Sequence, residues 1–316
     1  MGILKNLYMS NQKLKKLFEI GTKKRKDSED LKTILNVMKT TFKDIENNAL
    51  GNYLNGITTN FHDLDLMTKG FQRGSLIVIG GRPSMGKTAL VTNIAKNVAQ
   101  FHELPVCFFS LELSKVQLSY RLLSMEVGIG SGRLKSARII DNEWSLVGEG
   151  INSLAKLPLF ICDKSSIKVK NIFSRCRKIK EKSKNGELGL VVVDYVQMMQ
   201  GKNKKSRDKE LSKIILDLKD MAKTLDVPII LTSQLSRDIE KRKNKRPLLR
   251  DLSETQGLES HADVVINLYR EEYYNPETDE DPGLTELIFS KNRIGSIGTV
   301  KLLFEGAYGR YRNLSG

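Results

Sequence analysis

The residues Gly81-Arg82-Pro83-Ser84-Met85-Gly86-Lys87-Thr88 combine two glycines, a lysine and a hydroxyl in the spacing of a phosphate-binding loop. An apolar run, Leu76-Ile77-Val78-Ile79, precedes them and an amphipathic one, Ala89 to Ala95, follows. Strand, glycine loop and helix in that order are what such a loop requires. Gly81 and Gly86 are expected to let the backbone turn tightly, so that its N–H groups converge on phosphate oxygens. The helix starting near Lys87 adds the positive end of its dipole. Lys87 is the residue to reach the β- and γ-phosphates, and the Thr88 hydroxyl the one to ligate Mg²⁺. Gly81 through Thr88 therefore read as the cradle for a nucleoside triphosphate, with ATP and Mg²⁺ as the expected cofactors.

Three further strand ends carry residues that suit phosphate chemistry. Leu190-Val191-Val192-Val193 ends in Asp194, a carboxylate that can anchor Mg²⁺ beside Thr88. Phe108-Phe109-Ser110-Leu111 leads to Glu112, expected beside the P-loop strand, where a carboxylate can orient and deprotonate an attacking water. Leu231-Thr232-Ser233 leads to Gln234, whose amide can sense the γ-phosphate and pass its loss to the following loop. Two basic runs follow the last strand ends. One holds Lys202, Lys204, Lys205 and Arg207; the other runs from Arg237 through Lys241 and Arg242 to Arg250. At the carboxyl edge of a parallel sheet these lie on the ligand side. With few aromatics among them, they suit tracking of a phosphate backbone rather than base stacking. The formal net charge of +15 points the same way, to a polyanionic partner, nucleic acid before membrane surface.

The elements that must position these residues are legible as an alternation. Apolar strands at Val106–Ser110, Leu159–Ile161, Leu190–Val193, Ile229–Thr232 and Val264–Leu268 are separated by helices at Lys115–Val127, Val169–Lys184 and Lys209–Leu225. This predicts an α/β fold, a mostly parallel sheet with helices on both faces. Leu284–Ser290 and Thr299–Phe304 predict a β-hairpin at the sheet's edge. Upstream, Leu31, Ile34, Leu35, Met38, Phe42 and Ile45 form one stripe of a helix that Asp27 or Ser28 can cap and Gly51 follows. Pattern alone leaves open whether that stripe packs on its own domain or on a neighbouring subunit. The organisation expected is a basic segment 1–30, a linker helix and connector 31–60, and an ATPase domain 61–316. Residues 1–30 lack the apolar core of a secretory signal and read as a surface helix and linker. No run approaches a membrane span. Cys107, Cys162 and Cys176 sit in apolar or helical surroundings without metal or disulfide spacing, and read as small buried hydrophobes of a reduced compartment.

Taken together these motifs resemble the ATPase domain of the bacterial-type replicative DNA helicases, the DnaB family of the RecA-like class. The resemblance runs from about Leu31 to Asn313. It rests on Arg82 to Thr88, Ser110-Leu111-Glu112, Val193-Asp194-Tyr195-Val196-Gln197, Ser233-Gln234-Leu235-Ser236-Arg237, Asp251-Leu252 with Ala262-Asp263, Lys291-Asn292-Arg293, Gly298-Thr299-Val300 and Arg310-Tyr311-Arg312-Asn313, all in order. It implies a RecA-like core and hexameric rings that encircle single-stranded DNA, moving 5′ to 3′ and unwinding duplex at a replication fork. Glu112 would be the catalytic base, Asp194 the Mg²⁺ anchor and Gln234 the link from γ-phosphate to the DNA loops, in which Glu254 and Gly257 are also placed. Lys291 and Arg293 would reach into a neighbour's site. The helix over 31–49 would be the linker helix that docks on the adjacent subunit.

Two departures stand out. The family's N-terminal collar domain, which meets primase, has no counterpart before Leu31, so primase and loader as partners stay open. Where the family usually reads Asp-Leu-Arg-Glu, this chain has Asp251-Leu252-Ser253-Glu254, which removes one candidate DNA or interface cation. The Lys, Asn and Ile bias suits an AT-rich genome, and the expected setting is plastid stroma or bacterial cytoplasm. The competing readings are a recombination or repair ATPase and a non-catalytic nucleic-acid scaffold. The motif order after Asp194 speaks against the first, and the intact Lys87, Glu112, Asp194 and Arg293 against the second.

Overall fold

A strand buried on both faces has to be apolar along its whole length, and that requirement sets this architecture. The strands are β1 (Leu76–Gly81), β2 (Val106–Ser110), β3 (Leu159–Cys162), β4 (Leu190–Asp194), β5 (Ile229–Gln234), β6 (Val264–Tyr269), β7 (Leu284–Asn292), β8 (Gly298–Glu305) and β9 (Arg310–Asn313). In the computed structural model they form one sheet, ordered β3-β2-β4-β5-β1-β6-β7-β8-β9. β3 through β6 are parallel and β7 to β9 antiparallel. Every residue of β1, β2, β4 and β6 is buried. Helices Lys87–Phe101 and Lys115–Val127 cover one face, helices Val169–Lys182 and Arg207–Leu225 the other. Each fully buried Val, Leu or Ile contributes roughly 1.5–3 kcal/mol.

The structure describes residues 33–49, 55–201, 206–277 and 282–314. The segment 1–30, the capping residues Asp27 and Ser28, and Lys202, Lys204 and Lys205 lie outside these. The chain divides into two compact units, Met1–Asn55 and Gly56–Gly316. The first contains the helix Ile34–Ala49, whose Ile34, Met38 and Ile45 are exposed. In the second, local signals act as their chemistry dictates. Ser114 and Gln117 form a reciprocal capping box at the start of helix Lys115–Val127, and Gly128, at φ 68°, closes it.

Two expectations need correction. β2, which leads to Glu112, does not flank the P-loop strand: β4 and β5 lie between, because helix Lys87–Phe101 crosses both before the chain re-enters the sheet. The β7–β8 hairpin is not the sheet's edge either. A further strand, β9, pairs with β8 and takes that place, with Tyr311 buried. The thiols behave as small hydrophobes: Cys107 and Cys176 are buried, Cys162 half-buried, and all are free. Contact between the buried pair, with burial itself, pushes the Cys176 thiol up. No helix among the described residues is long and apolar enough to cross a membrane.

Gly257, expected in a DNA loop, lies in helix Gln256–His261 against helix Arg207–Leu225. A Cβ there would sit 2.7 Å from the Ser212 Cα, so its local task is close helix packing. Gly257→Ala is therefore expected to destabilise the fold by about 1–3 kcal/mol, read as a lower urea midpoint in the full chain; an unchanged midpoint would show that the two helices do not meet here.

Candidate active site

Parallel strands bring their carboxyl ends to one edge, and here the register aligns the chemistry. Gly81 lies opposite Gln234, and Ser110 opposite Asp194. A cavity of about 550 Å³ opens at this edge, lined by Pro83, Ser84, Gly86, Lys87, Thr88, Glu112, Asp194 and Gln234 among others. Glu112 reaches it across β4 from the loop after β2. Helix Lys87–Phe101 starts at Gly86 with no side-chain cap, which leaves its first N–H groups for an anion.

The P-loop octet divides by task. Gly86 has φ 90°, and a Cβ there would also lie 2.4 Å from the Tyr311 hydroxyl, which donates to the Met85 carbonyl at 3.3 Å. Only glycine meets both demands. The expectation that Gly81 serves the turn is corrected. It is the last residue of β1, and its missing Cβ gives room to the Lys87 stem, which would come within 3.3 Å. The non-glycine residue at positive φ in the loop is Ser84, at 64°. Met85 is buried in the core. Arg82, counted in the loop for its backbone, sends its side chain elsewhere. Its side chain is buried and donates to Glu240 Oε1 at 2.8 Å and to the Leu235 carbonyl at 2.9 Å.

Asp194 is buried and accepts hydrogen bonds from Thr88 Oγ1 at 2.8 Å and from the Thr232 hydroxyl. No group of three or more His, Cys, Asp or Glu able to hold a metal exists among the described residues. Thr88 and Asp194 nevertheless fit Mg²⁺, which takes one or two protein oxygens and completes its shell with water and phosphate. Lys87 Nζ donates to the carbonyls of Gly81 (2.7 Å) and Arg82 (2.9 Å). Burial lowers its pKa to about 8; Asp194 and Glu112 oppose the shift, and Arg82 adds to it.

Lys291 and Arg293 do not join this cavity. They lie where β7 pairs with the start of β6, the opposite edge of the parallel strands. A strand of this length puts roughly 20 Å between the edges. Lys291 Nζ donates to Glu259 O at 2.6 Å, and Arg293 pairs with Asp263 at 3.3 Å and donates to Ser260 O at 3.2 Å. Burial lowers the Lys291 pKa, Arg293 lowers it further, and Asp263 and Glu259 pull it back.

The basic runs also divide. Arg207 pairs with Glu210 at 2.5 Å and donates to the carbonyls of Gln197 and Met199. Arg242 is bidentate on Asp251, at 3.1 and 2.7 Å. Both guanidinium groups thus staple the fold. Arg237, Lys241 and Arg250 are exposed. Sequence reasoning missed Arg121, on helix Lys115–Val127, and the turn Gly306–Gly309 between β8 and β9, all of which line the cavity. It also gave no separate task to Gln197, whose Nε2 donates to Ser233 Oγ at 3.0 Å and Gln234 O at 3.3 Å.

Residues 56–313 match the family model of the DnaB-like helicase C-terminal domain. The chain belongs to that family. It is 45% identical over 262 residues to a probable replicative DNA helicase of Trieres chinensis, covering 82% of this chain and 57% of the relative. It is 40% identical over 304 residues to the replicative DNA helicase DnaB of Geobacillus stearothermophilus, covering 95% and 65%. The chain thus spans less than two thirds of the length of these relatives. Among solved structures, a DnaB-like replicative helicase, described with its primase interactions, superposes with a TM-score of 0.83 at 33% identity, over 99% of this chain and 74% of that one. A separately solved ATPase domain gives a TM-score of 0.86 at 36% identity, over 90% and 100%. The DnaB-like fold is RecA-like α/β: the strand alternation implied the α/β class and the resemblance the RecA-like core. Membership implies use of a nucleotide.

The depressed Lys87 pKa makes nucleotide binding pH-dependent. A bound polyphosphate favours the ammonium form, so above pH 8 binding takes up a proton. Affinity for ATP, measured by calorimetry without divalent cation, is expected to fall by up to about tenfold per pH unit from pH 8 to 9.5. Proton uptake should appear in buffers of different ionisation enthalpy. An affinity flat across that range would contradict the buried, destabilised ammonium.

Proposed function

We propose that this chain is the motor of an ATP-dependent, ring-forming replicative DNA helicase that moves 5′ to 3′ on single-stranded DNA and unwinds duplex at the fork. One observation carries this reading beyond simple nucleotide binding. Lys87, Thr88, Glu112, Asp194 and Gln234 share a cavity, whereas Lys291 and Arg293 stand on the opposite edge of the same sheet. A single copy cannot bring them together, but copies packed edge to edge can.

In that arrangement Lys87 leaves the Gly81 and Arg82 carbonyls for the β- and γ-phosphates of ATP. Thr88 and Asp194 hold Mg²⁺, which supplies charge neutralisation when bound. Glu112 orients the attacking water and accepts its proton. Lys291 and Arg293 from the adjoining copy stabilise the charge on the transferred phosphoryl group, and an arginine so placed is worth about 10³–10⁵ in rate. Gln234 reads the γ-phosphate and shifts the basic turn that follows. Residues 31–60 act as a linker ahead of a motor domain over 61–316, after a basic segment 1–30. The exposed stripe Ile34, Met38 and Ile45 docks on a neighbouring subunit. The sources of the relatives suit plastid stroma or bacterial cytoplasm.

Arg237, Lys241 and Arg250, with Lys202, Lys204 and Lys205, contact the DNA backbone. Arg207 and Arg242 act behind them as staples, and Glu254 joins the DNA-facing set on the family pattern alone.

The trans assignment has a direct test. Glu112→Gln and Arg293→Ala chains, each expected to be nearly inactive, should recover ATP turnover on mixing, because some seams then combine an intact Glu112 with an intact Arg293. Mixed assemblies with no gain over either parent would reject it. DNA affinity should fall steeply with salt. Replacing Arg237 and Arg250 by alanine should reduce the log–log slope by about 0.7 for each phosphate that is no longer neutralised. A slope unchanged in that double variant would remove both residues from the interface.

A further inference from the structure

Arg82 belongs to the phosphate loop, yet it reaches away from the phosphates. It is 6% exposed, and a buried guanidinium has to be paired. Both its partners lie beyond the end of β5: Glu240 at 2.8 Å and the Leu235 carbonyl at 2.9 Å. The Leu235 N–H returns a bond to the Gly81 carbonyl at 3.3 Å. Loop and post-β5 turn are therefore laced together by a side chain and by backbone.

The same turn is held from its other side. Ser236 N–H donates to the Asp251 carbonyl at 2.9 Å, and the Asp251 carboxylate grips Arg242. Between these two anchors sit the exposed Arg237 and Lys241. Glu240 is 45% exposed along its side chain, so the Arg82 anchor is also the more accessible one. On the cavity side, Lys87 donates to the carbonyl of Arg82 itself. A phosphate that draws the Lys87 ammonium away acts on the very residue whose side chain holds the turn.

We propose that Arg82 is a positioning residue that connects phosphate occupancy to the basic turn 235–242 through its pair with Glu240, so that the nucleotide sets the grip on DNA by a route separate from the Gln234 side chain. The inference rests on the reading above, that ATP and single-stranded DNA are this chain's ligands. A lysine at position 82 offers a point charge in place of a planar fork and does not reproduce the paired contact.

The test measures affinity of the full chain for a fluorescent oligo(dT), with and without a non-hydrolysable ATP analogue. In the wild type the analogue is expected to change the dissociation constant about tenfold, within the usual range of allosteric coupling. Glu240→Gln leaves the buried arginine in place. It should keep nucleotide affinity and nucleotide-free DNA affinity within about twofold, while the analogue's effect shrinks to about threefold or less. With the analogue at saturation, Arg82→Lys should shrink the analogue's effect on DNA affinity to the same extent, and the double variant should lose no more of that effect than either single one. Variants that retain the wild-type ratio would overturn the link alone. A wild type whose DNA affinity ignores the nucleotide would overturn the link and the functional reading together. Equal loss of DNA binding with and without nucleotide in Glu240→Gln would mean a merely structural ion pair.

Discussion

The Asp194 carboxylate is the tie on which the site depends. It closes β4, accepts from Thr88 at the start of the P-loop helix and accepts from Thr232 in β5. Hydrogen bonds to a charged group contribute roughly 1.5–3 kcal/mol each, and a buried carboxylate without them is costly. The same atoms that fix three elements in register thus offer hard oxygen to a cation. Catalytic geometry and edge stability are one constraint here, and the placement of Glu112 and Gln234 around the cavity follows from it.

Much of this was legible in the sequence because strands covered on both faces are apolar throughout. The runs ending in Ser110, Asp194 and Gln234 were therefore placed almost to the residue, and helix Lys115–Val127 to the residue. What the chain order does not carry is lateral position in a sheet. That is why Glu112 was expected beside β1 and lies two strands further away. β9 escaped notice because only Tyr311 among its four residues is buried.

Side-chain direction was the other hidden quantity. Arg82 and Lys87 sit in one motif yet face opposite ways. Arg242 and Arg246 look like their exposed neighbours in a basic run, but each meets a carboxylate supplied by a separate stretch of chain, Asp251 and Glu286. Charge counting therefore overstates what is free to meet a polyanion. Two cations in that run are internal fasteners, and the +15 formal charge includes them.

If Lys291 and Arg293 complete a neighbour's pocket, as proposed, then a pocket at one end of the sheet and those cations at the other give the subunit a polarity. A two-fold symmetric pair buries one end of both copies and leaves each pocket unfinished. Head-to-tail addition is the arrangement that serves every copy, and it ends only when the chain of copies closes on itself. Each copy in such a circle is a donor to one side and an acceptor from the other, so one substitution silences one seam: the copy's own where Glu112 is lost, its neighbour's where Arg293 is lost.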